Sequence, residues 1–520
     1  MIWLAGCIFL FWAGKNILRR EHLPSAIDYQ STDGKSYELV EDDALPKYPS
    51  PIIVTNRRGR AKWTVSIPPG LPFPLPPTDY ADICAQAQDI SRHVEDLKYH
   101  REGDHAIVHA AHYAYYYNDP HYMDVGQAEA HGLLASPSQS HKSEAKKICE
   151  KSLTYVLDSS NAGFGRALLG LWLAYGLAKA ESRAFFLDDT KFPYGRYSTF
   201  FTPPPLPDCA PPPETQRVPC PHQARHLVVS AATTQYTFGH AFNDAYEDGH
   251  KMGAFRQKEI FQMMRTGYEA LFHLTDDDKK YLQEWMTSLN GKSRERGGLQ
   301  VGIHIRHGDR HPYEFQYQKS YIPLPNYIET AQQILEDSTG SEEERNATAL
   351  RSRLLIASDD PDVYESPELE GVGAMRAQMR LSLASQRTAP DESGQMVWEG
   401  GFFRNVFWSL GLSPEEEIPR IQESPRPSKR DVGTAKKAHG SNSMVQMYNN
   451  PTADALRLRE FVGRAYLLDL SVLGQADRVI CTVSSSTCRV LAIMMGWDRA
   501  MEKKEWTNVD GDFEWRSIDW

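Results

Sequence analysis

Residues 299–310 read LQVGIHIRHGDR. No charge interrupts the run from Leu299 to Ile305, and Leu, Val and Ile hold every second position. A short apolar run bounded by turn residues predicts a buried strand. It ends abruptly in Arg306-His-Gly-Asp309-Arg310. In open parallel sheets, ligands bind beyond the carboxyl ends of the strands. Arg306 and Arg310 offer guanidiniums that can grip a diphosphate bidentately.

Working outward, the same pattern recurs. Upstream lie an apolar strand over 153–158, a glycine turn (Asn161-Ala-Gly163-Phe-Gly165), a helix over 168–180 and a strand over 184–187. Downstream, a helix near 327–335 precedes a strand over 354–357, which runs into Asp359-Asp360-Pro361. Then come a helix over 456–473, a strand over 478–483, a Ser484-Ser-Ser-Thr487 turn and a helix over 488–495. Apolar strands alternating with helices indicate an α/β fold with parallel sheets. Hydroxyls and free amides where a helix begins suit phosphate oxygens. Taken singly, each turn has a structural reading: Arg–Asp pairs lock strand ends, Asp-Asp-Pro starts a helix, and Ser-Ser-Ser-Thr caps one. Together they describe a nucleotide-diphosphate site. Gly163-Phe-Gly165 lacks the third glycine and the ribose-binding acid of a dinucleotide fingerprint, which argues against a dehydrogenase.

The chain has 520 residues and a net charge of 57 − 68 = −11. That balance argues against a nucleic-acid binder working through counterion release. A mean hydropathy of −0.52 excludes a multi-pass membrane protein. One apolar run stands out, residues 2–14 continuing to Leu18, with Trp3 and Trp12 placed to sit at two interfaces. We read 1–18 as a signal-anchor, although Lys15, Arg19 and Arg20 follow it, and the alternative is a buried N-terminal segment. Residues 19–78, ending in PPGLPFPLPP, read as a Pro-rich stem with little core of its own. Residues 79–296 are then expected to form a helical and Rossmann-like acceptor-side domain, and 297–520 a donor-binding one. The stretches 203–221 and 420–443 read as surface loops, the latter carrying Lys429, Arg430, Lys436 and Lys437. His105, His109 and His112 share one helix face without a carboxylate or Cys at ligand spacing, so no metal site is expected. Asn346-Ala-Thr348 is a glycosylation acceptor. Beyond Cys7 lie Cys84, Cys149, Cys209, Cys220, Cys481 and Cys488, an even count that fits an oxidising lumen. Proximity in sequence suggests Cys209 with Cys220 and Cys481 with Cys488, leaving Cys84 and Cys149, although six cysteines allow fifteen connectivities.

Gly302-Ile-His304-Ile-Arg306-His-Gly-Asp309-Arg310 resembles the His-x-Arg-Arg-x-Asp-Lys signature of the alpha-1,6-fucosyltransferases, enzymes that add core fucose to N-glycans. Three further segments match in order: Asn161 to Gly165 and its helix, Ala357-Ser-Asp359-Asp360-Pro361, and Asp469 through Ala476-Asp477 to Cys481-Thr-Val-Ser484-Ser485 and Cys488-Arg489-Val490. The resemblance implies a GT-B architecture, two Rossmann-like domains facing a cleft, in a single-pass type II Golgi membrane protein. It implies metal-free, inverting transfer of fucose from GDP-fucose to a glycan. Arg306 would hold the diphosphate, assisted by Ser484 or Ser485, and Gly163 and Gly165 would form the glycine turn of the donor site. His304 and Asp469 would contact the guanosine. Glu314 falls where the family has its catalytic base and Arg310 where it has an adjacent Lys. Asp309, Asp359 and Asp360 would shape the site, and Tyr327 would match a conserved-position tyrosine of a Pro-x-x-x-Tyr motif. Cys481–Cys488 would be one of the family's disulfides. His307 stands where the family has a second Arg, and Gly308 where it has Thr. The departures leave room for two other readings: a GDP-sugar transferase with a different acceptor, or a non-catalytic lumenal glycan-binding module.

Overall fold

The computed structural model describes residues 37–39, 45–56, 60–102, 119–135, 146–158, 163–307, 321–337, 348, 350–381 and 453–518. The chain forms two compact units: Met1–Ile148 with Pro211–Leu227, and Cys149–Ala210 with Val228–Trp520. The expected anchor, Asn346 and the 420–443 loop lie outside the described residues, as do His105, His109, His112, Asp309, Arg310 and Glu314.

In the first unit, three antiparallel strands pair in the order β1 (Tyr37–Leu39), β2 (Ser50–Asn56) and β3 (Ala61–Ser66). Helix α1 (Pro77–Glu102) packs on them. Much of the segment read as stem is therefore folded. Val54, Trp63 and Val65 are buried core residues. The prolines misled the reading: most lie outside the hairpin, Pro51 stands second in β2, and β3 is free of them. The Trp63 indole N–H donates to Asp119 Oδ2 at 2.6 Å, and Ser91 donates to the same oxygen at 2.6 Å. The disulfide Cys84–Cys220 ties α1 to the 211–227 segment. The expected Cys209–Cys220 pair is thus incorrect. Cys209 bonds Cys149 instead, within the second unit. The unit assignment changes within residues 203–221, after Ala210, so each of their cysteines finds its partner in its own unit rather than in its sequence neighbour.

The second unit is built on two sheets. β4 (Ser152–Val156), fully buried, leads to helix α2 (Phe164–Ala180), and β5 (Ala184–Asp188) pairs with β4 in parallel. β6 (His226–Val229), where the unit boundary falls, lies on the other side of β4. Helix α3 (Lys258–Leu271) packs along α2, and α4 (Asp276–Lys292) leads into the second sheet.

That sheet contains β7 (Gln300–Ile305), helix α5 (Leu324–Asp337), β8 (Arg353–Ser358) and β9 (Ala374–Arg376). Helix α6 (Ala453–Leu473), β10 (Arg478–Cys481), helix α7 (Ser486–Met495) and β11 (Trp506–Asn508) complete it. The order is β11-β10-β7-β8-β9, with every pair parallel. The two faces of β7 serve different helices. Val301, Ile303 and Ile305 join Tyr327, Ile328 and Ala331 of α5 in one core. Gly302 faces α6, where a Cβ would lie 3.0 Å from Leu473 Cδ2 and 3.2 Å from Ala476 Cβ.

Candidate functional site

β7 is the centre of its sheet, and the chain leaves it in both directions, to β8 on one side and to β10 on the other. The crevice beyond the carboxyl ends of β7 and β10 is a topological switch point, where open parallel sheets take their ligands. Register places Ile303 opposite Ile480 and Ile305 opposite Ser358. The turns that follow β7, β8 and β10 therefore emerge along one edge.

After β7, Arg306 pairs with Asp359, the first residue beyond β8. The His307 backbone N–H donates to Asp359 Oδ1 at 2.9 Å, and its Nδ1 meets Asp360 Oδ2 at 2.8 Å. Asp360 is buried; its other oxygen accepts the Asp362 N–H at 3.0 Å and so caps the short helix beyond it. The structural reading of the Asp-Asp-Pro motif is thus fulfilled by Asp360, while Asp359 keeps a third of its side chain exposed beside Arg306, at 34%.

After β10, Ser485 is buried and its hydroxyl accepts the Thr487 N–H at 3.3 Å, capping α7. Ser484 is held by its backbone, whose N–H donates to Asp510 Oδ2 at 3.3 Å. The Val483 N–H donates to Asn508 Oδ1 at 2.9 Å. Cys481 and Cys488 are joined by a disulfide that brackets the turn. Asn508 and Asp510 follow β11, and sequence reading missed both. A three-residue edge strand gives almost no periodicity signal; only the turn-forming Asn508-Val-Asp510-Gly511 hinted at a structured bend.

The glycine turn reaches the same edge from the other sheet. A Cβ on Gly165 would lie 2.6 Å from the Tyr466 hydroxyl, 2.9 Å from Ser486 Oγ and 3.4 Å from Thr487 N. The absent side chain lets the N-termini of α2 and α7 approach, and Tyr466 joins Thr487 through a 3.1 Å hydroxyl contact. Gly163 faces open space, with nothing within 4 Å of a Cβ. Two convergent helix N-termini carry positive dipole ends and favour an anion between them.

His304 and Asp469 sit on β7 and α6, two elements that pack together. His304 lies on the face of β7 shared by Gly302, which rests on Leu473. Asp469 lies one turn before Leu473 on α6. Burial, reinforced by the Arg306 charge, pushes the His304 imidazole down to about 3, so the ring is neutral at physiological pH. Burial also holds the Asp469 carboxyl well above the usual range, opposed by a hydrogen bond from Gln378 and the charge of Arg376. Arg376 stacks over the Tyr364 ring at 4.0 Å, and Tyr364 accepts the Ser358 N–H at 2.9 Å.

Tyr327 is wholly buried in the α5 core. Burial pushes its hydroxyl up to about 12, against the lowering influence of Thr482 and the Arg306 backbone. Among the described residues, His304 Nδ1, Tyr327 Oη, Thr482 Oγ1 and Asp510 Oδ1 are buried without a hydrogen bond of good geometry. Among the described residues no cluster of three His, Cys, Asp or Glu could hold a metal ion, and no helix is long and apolar enough to cross a membrane.

No family model and no curated protein matches the chain. Among solved structures, it is similar to NodZ alpha-1,6-fucosyltransferase soaked with GDP-fucose, at 12% identity, covering 66% of this chain and 93% of that one, with a TM-score of 0.31. It is similar to fucosyltransferase NodZ from Bradyrhizobium at 12% identity, covering 66% and 93%, with a TM-score of 0.30. It is also similar to a mutant of Arabidopsis thaliana FUT1 in complex with GDP, at 12% identity, covering 69% and 71%, with a TM-score of 0.32.

Proposed function

We propose that the chain is an inverting GDP-fucose-dependent glycosyltransferase of GT-B type that transfers fucose to the core GlcNAc of an N-glycan in alpha-1,6 linkage. The observation that carries the reading is the meeting of Arg306, the Ser484–Ser485 turn and the N-termini of α2 and α7 at one switch point. That combination supplies a guanidinium, serine hydroxyls and two helix dipoles for a diphosphate. The matching motifs point to guanosine as the nucleoside, with the neutral His304 and Asp469 beside it.

In the proposed reaction, Glu314 takes the proton of the acceptor hydroxyl as its oxygen bonds to the anomeric carbon of fucose. The bond from that carbon to the phosphate oxygen breaks, and the electron pair leaves with GDP. General-base assistance of this kind is worth roughly 10²–10⁴-fold. Arg306, and Arg310 in the loop beyond it, stabilise the departing charge, a task that fixed cations perform without a metal. Residues 297–520 would hold the donor, with the glycine turn at 163–165 closing on its diphosphate, and 79–296 would otherwise serve the acceptor. Residues 1–18 would anchor the protein in the Golgi membrane with its catalytic part in the lumen, where Asn346 would carry a glycan.

The test uses the full chain with GDP-fucose and N-glycan acceptors, because a fragment starting at 79 would lose β1–β3. The expected product is the acceptor plus one deoxyhexose. Glu314→Gln should lose transfer while still binding GDP by calorimetry. Retained turnover would remove Glu314 from the base role, and absence of GDP binding in the unaltered protein would overturn the reading.

A further inference from the structure

His307 is the one member of the strand-end cluster left without a task in that reaction. Its backbone N–H is given to Asp359, its Nδ1 to Asp360, and its ring lies 5.2 Å from that of Tyr321. Even so, 42% of its side chain is exposed, against 9% for the Asp360 carboxylate that holds it. With Nδ1 engaged by Asp360, Nε2 is the ring nitrogen left for a ligand.

The pairing fixes what Nε2 can do. A carboxylate only accepts, so Nδ1 must carry a proton. In the neutral ring Nε2 is then a lone pair, which repels a phosphate oxygen. In the protonated ring Nε2 becomes an N–H donor with a positive charge. One proton therefore converts the same atom from a poor neighbour of phosphate into a good one, without any movement of the ring.

Resting on the donor-site reading above, we propose that His307 is a second cationic ligand of the donor diphosphate, engaged only in its protonated form, with Asp360 as its positioning residue. Donor affinity should then fall as pH rises through the titration of this imidazole. The charged groups facing it are Arg306, which follows β7, and Asp359 and Asp360, which follow β8. Tyr321 faces it from the chain leading into α5. Asp309, Arg310, His311 and Glu314 follow in sequence, outside the described residues. His304 does not compete as the source of the effect, because its imidazole is held far below the range tested.

The experiment is calorimetric titration of the full chain with GDP-fucose, without acceptor, between pH 5.5 and 8.5. GDP-fucose is preferred to GDP because a terminal phosphate monoester itself titrates near pH 6. The expected result is an affinity about tenfold or more weaker at the alkaline end, the worth of one charge-assisted hydrogen bond. His307→Arg should bind tightly with a flat profile. His307→Gln should be flat at the weak level, and Asp360→Asn should move the inflection to lower pH. Melting curves identify any variant that fails to fold, and the profile of the unaltered protein needs no variant. A flat profile with intact binding, or the same slope in His307→Arg, overturns the assignment to His307 and leaves the donor site standing. No binding at any pH overturns the donor site and this ligand together.

Discussion

The turns after β7 and after β10 emerge side by side but are held by different forces. The first is fastened by side chains: Arg306 to Asp359 and His307 to Asp360. The second is fastened through its backbone, by Asn508 and Asp510, and bracketed by the Cys481–Cys488 disulfide. The difference teaches how one crevice can be both rigid and receptive. Backbone latches fix the amides and hydroxyls that must be in place before a ligand arrives. The Arg306–Asp359 pair is open to water on its Asp359 side, so its cation can exchange a carboxylate for a phosphate at small cost.

The sharpest way to break this contrast is to remove the charge from the first turn. Arg306→Gln should weaken GDP binding by roughly 100-fold or more, since bidentate charge-assisted contacts are among the strongest single polar interactions. The melting temperature should scarcely move, because Asp359 is exposed enough to be rehydrated once its partner is gone. Calorimetry and a melt on the same sample check both halves. A large loss of stability with little loss of affinity would make Arg306 a strut and not a ligand.

The second turn should answer in the opposite sense. Asn508 accepts from the Val483 and Asp510 N–H groups and donates to the Gly511 and Phe513 carbonyls, at 2.9 to 3.3 Å. Asn508→Ala removes all four, and at about 1 kcal/mol each, partly replaced by water, the expected destabilisation is about 2–3 kcal/mol. GDP affinity should fall less than in Arg306→Gln. If denaturant melts show Asn508→Ala to be neutral, the turn is held by its disulfide alone.

The same contrast explains what the sequence disclosed. Strands β4, β7, β8 and β10 and the helices after β4 and β10 were legible because each is a continuous local pattern of apolar residues closed by turn chemistry. The charged turn announced itself for the same reason, since Arg306, Asp359 and Asp360 sit beside their strands in the chain. The latches did not. Asn508 and Asp510 act on residues 25 and 26 positions away through a short edge strand, and nothing local marks that partnership. Disulfide connectivity was equally hidden, because Cys84 and Cys220 are 136 residues apart and become neighbours only through the tertiary fold. The β2–β3 hairpin was masked by Pro51 at its start and by the prolines on either side of it.

The smallest expected effect concerns the glycines of the α2 turn, which look equivalent in sequence and are not. Gly163 has ordinary backbone angles, φ −65° and ψ 168°, and open space where a side chain would go. Gly163→Ala should change stability by no more than about 0.5 kcal/mol. At Gly165 a methyl group would press on the Tyr466 hydroxyl, on Ser486 and on the α7 backbone, so Gly165→Ala should cost about 1–2 kcal/mol by overpacking. The nearest of those atoms is the tyrosine oxygen at 2.6 Å. Tyr466→Phe deletes that atom together with its contact to Thr487. Alone it should cost about 1 kcal/mol, but combined with Gly165→Ala the two losses should sum to less than their total, because each removes the reason for the other. A double-mutant cycle by thermal melt reads the coupling. Strict additivity would mean that the two helix N-termini are not in contact through Tyr466, and the anion site between them would lose its wall.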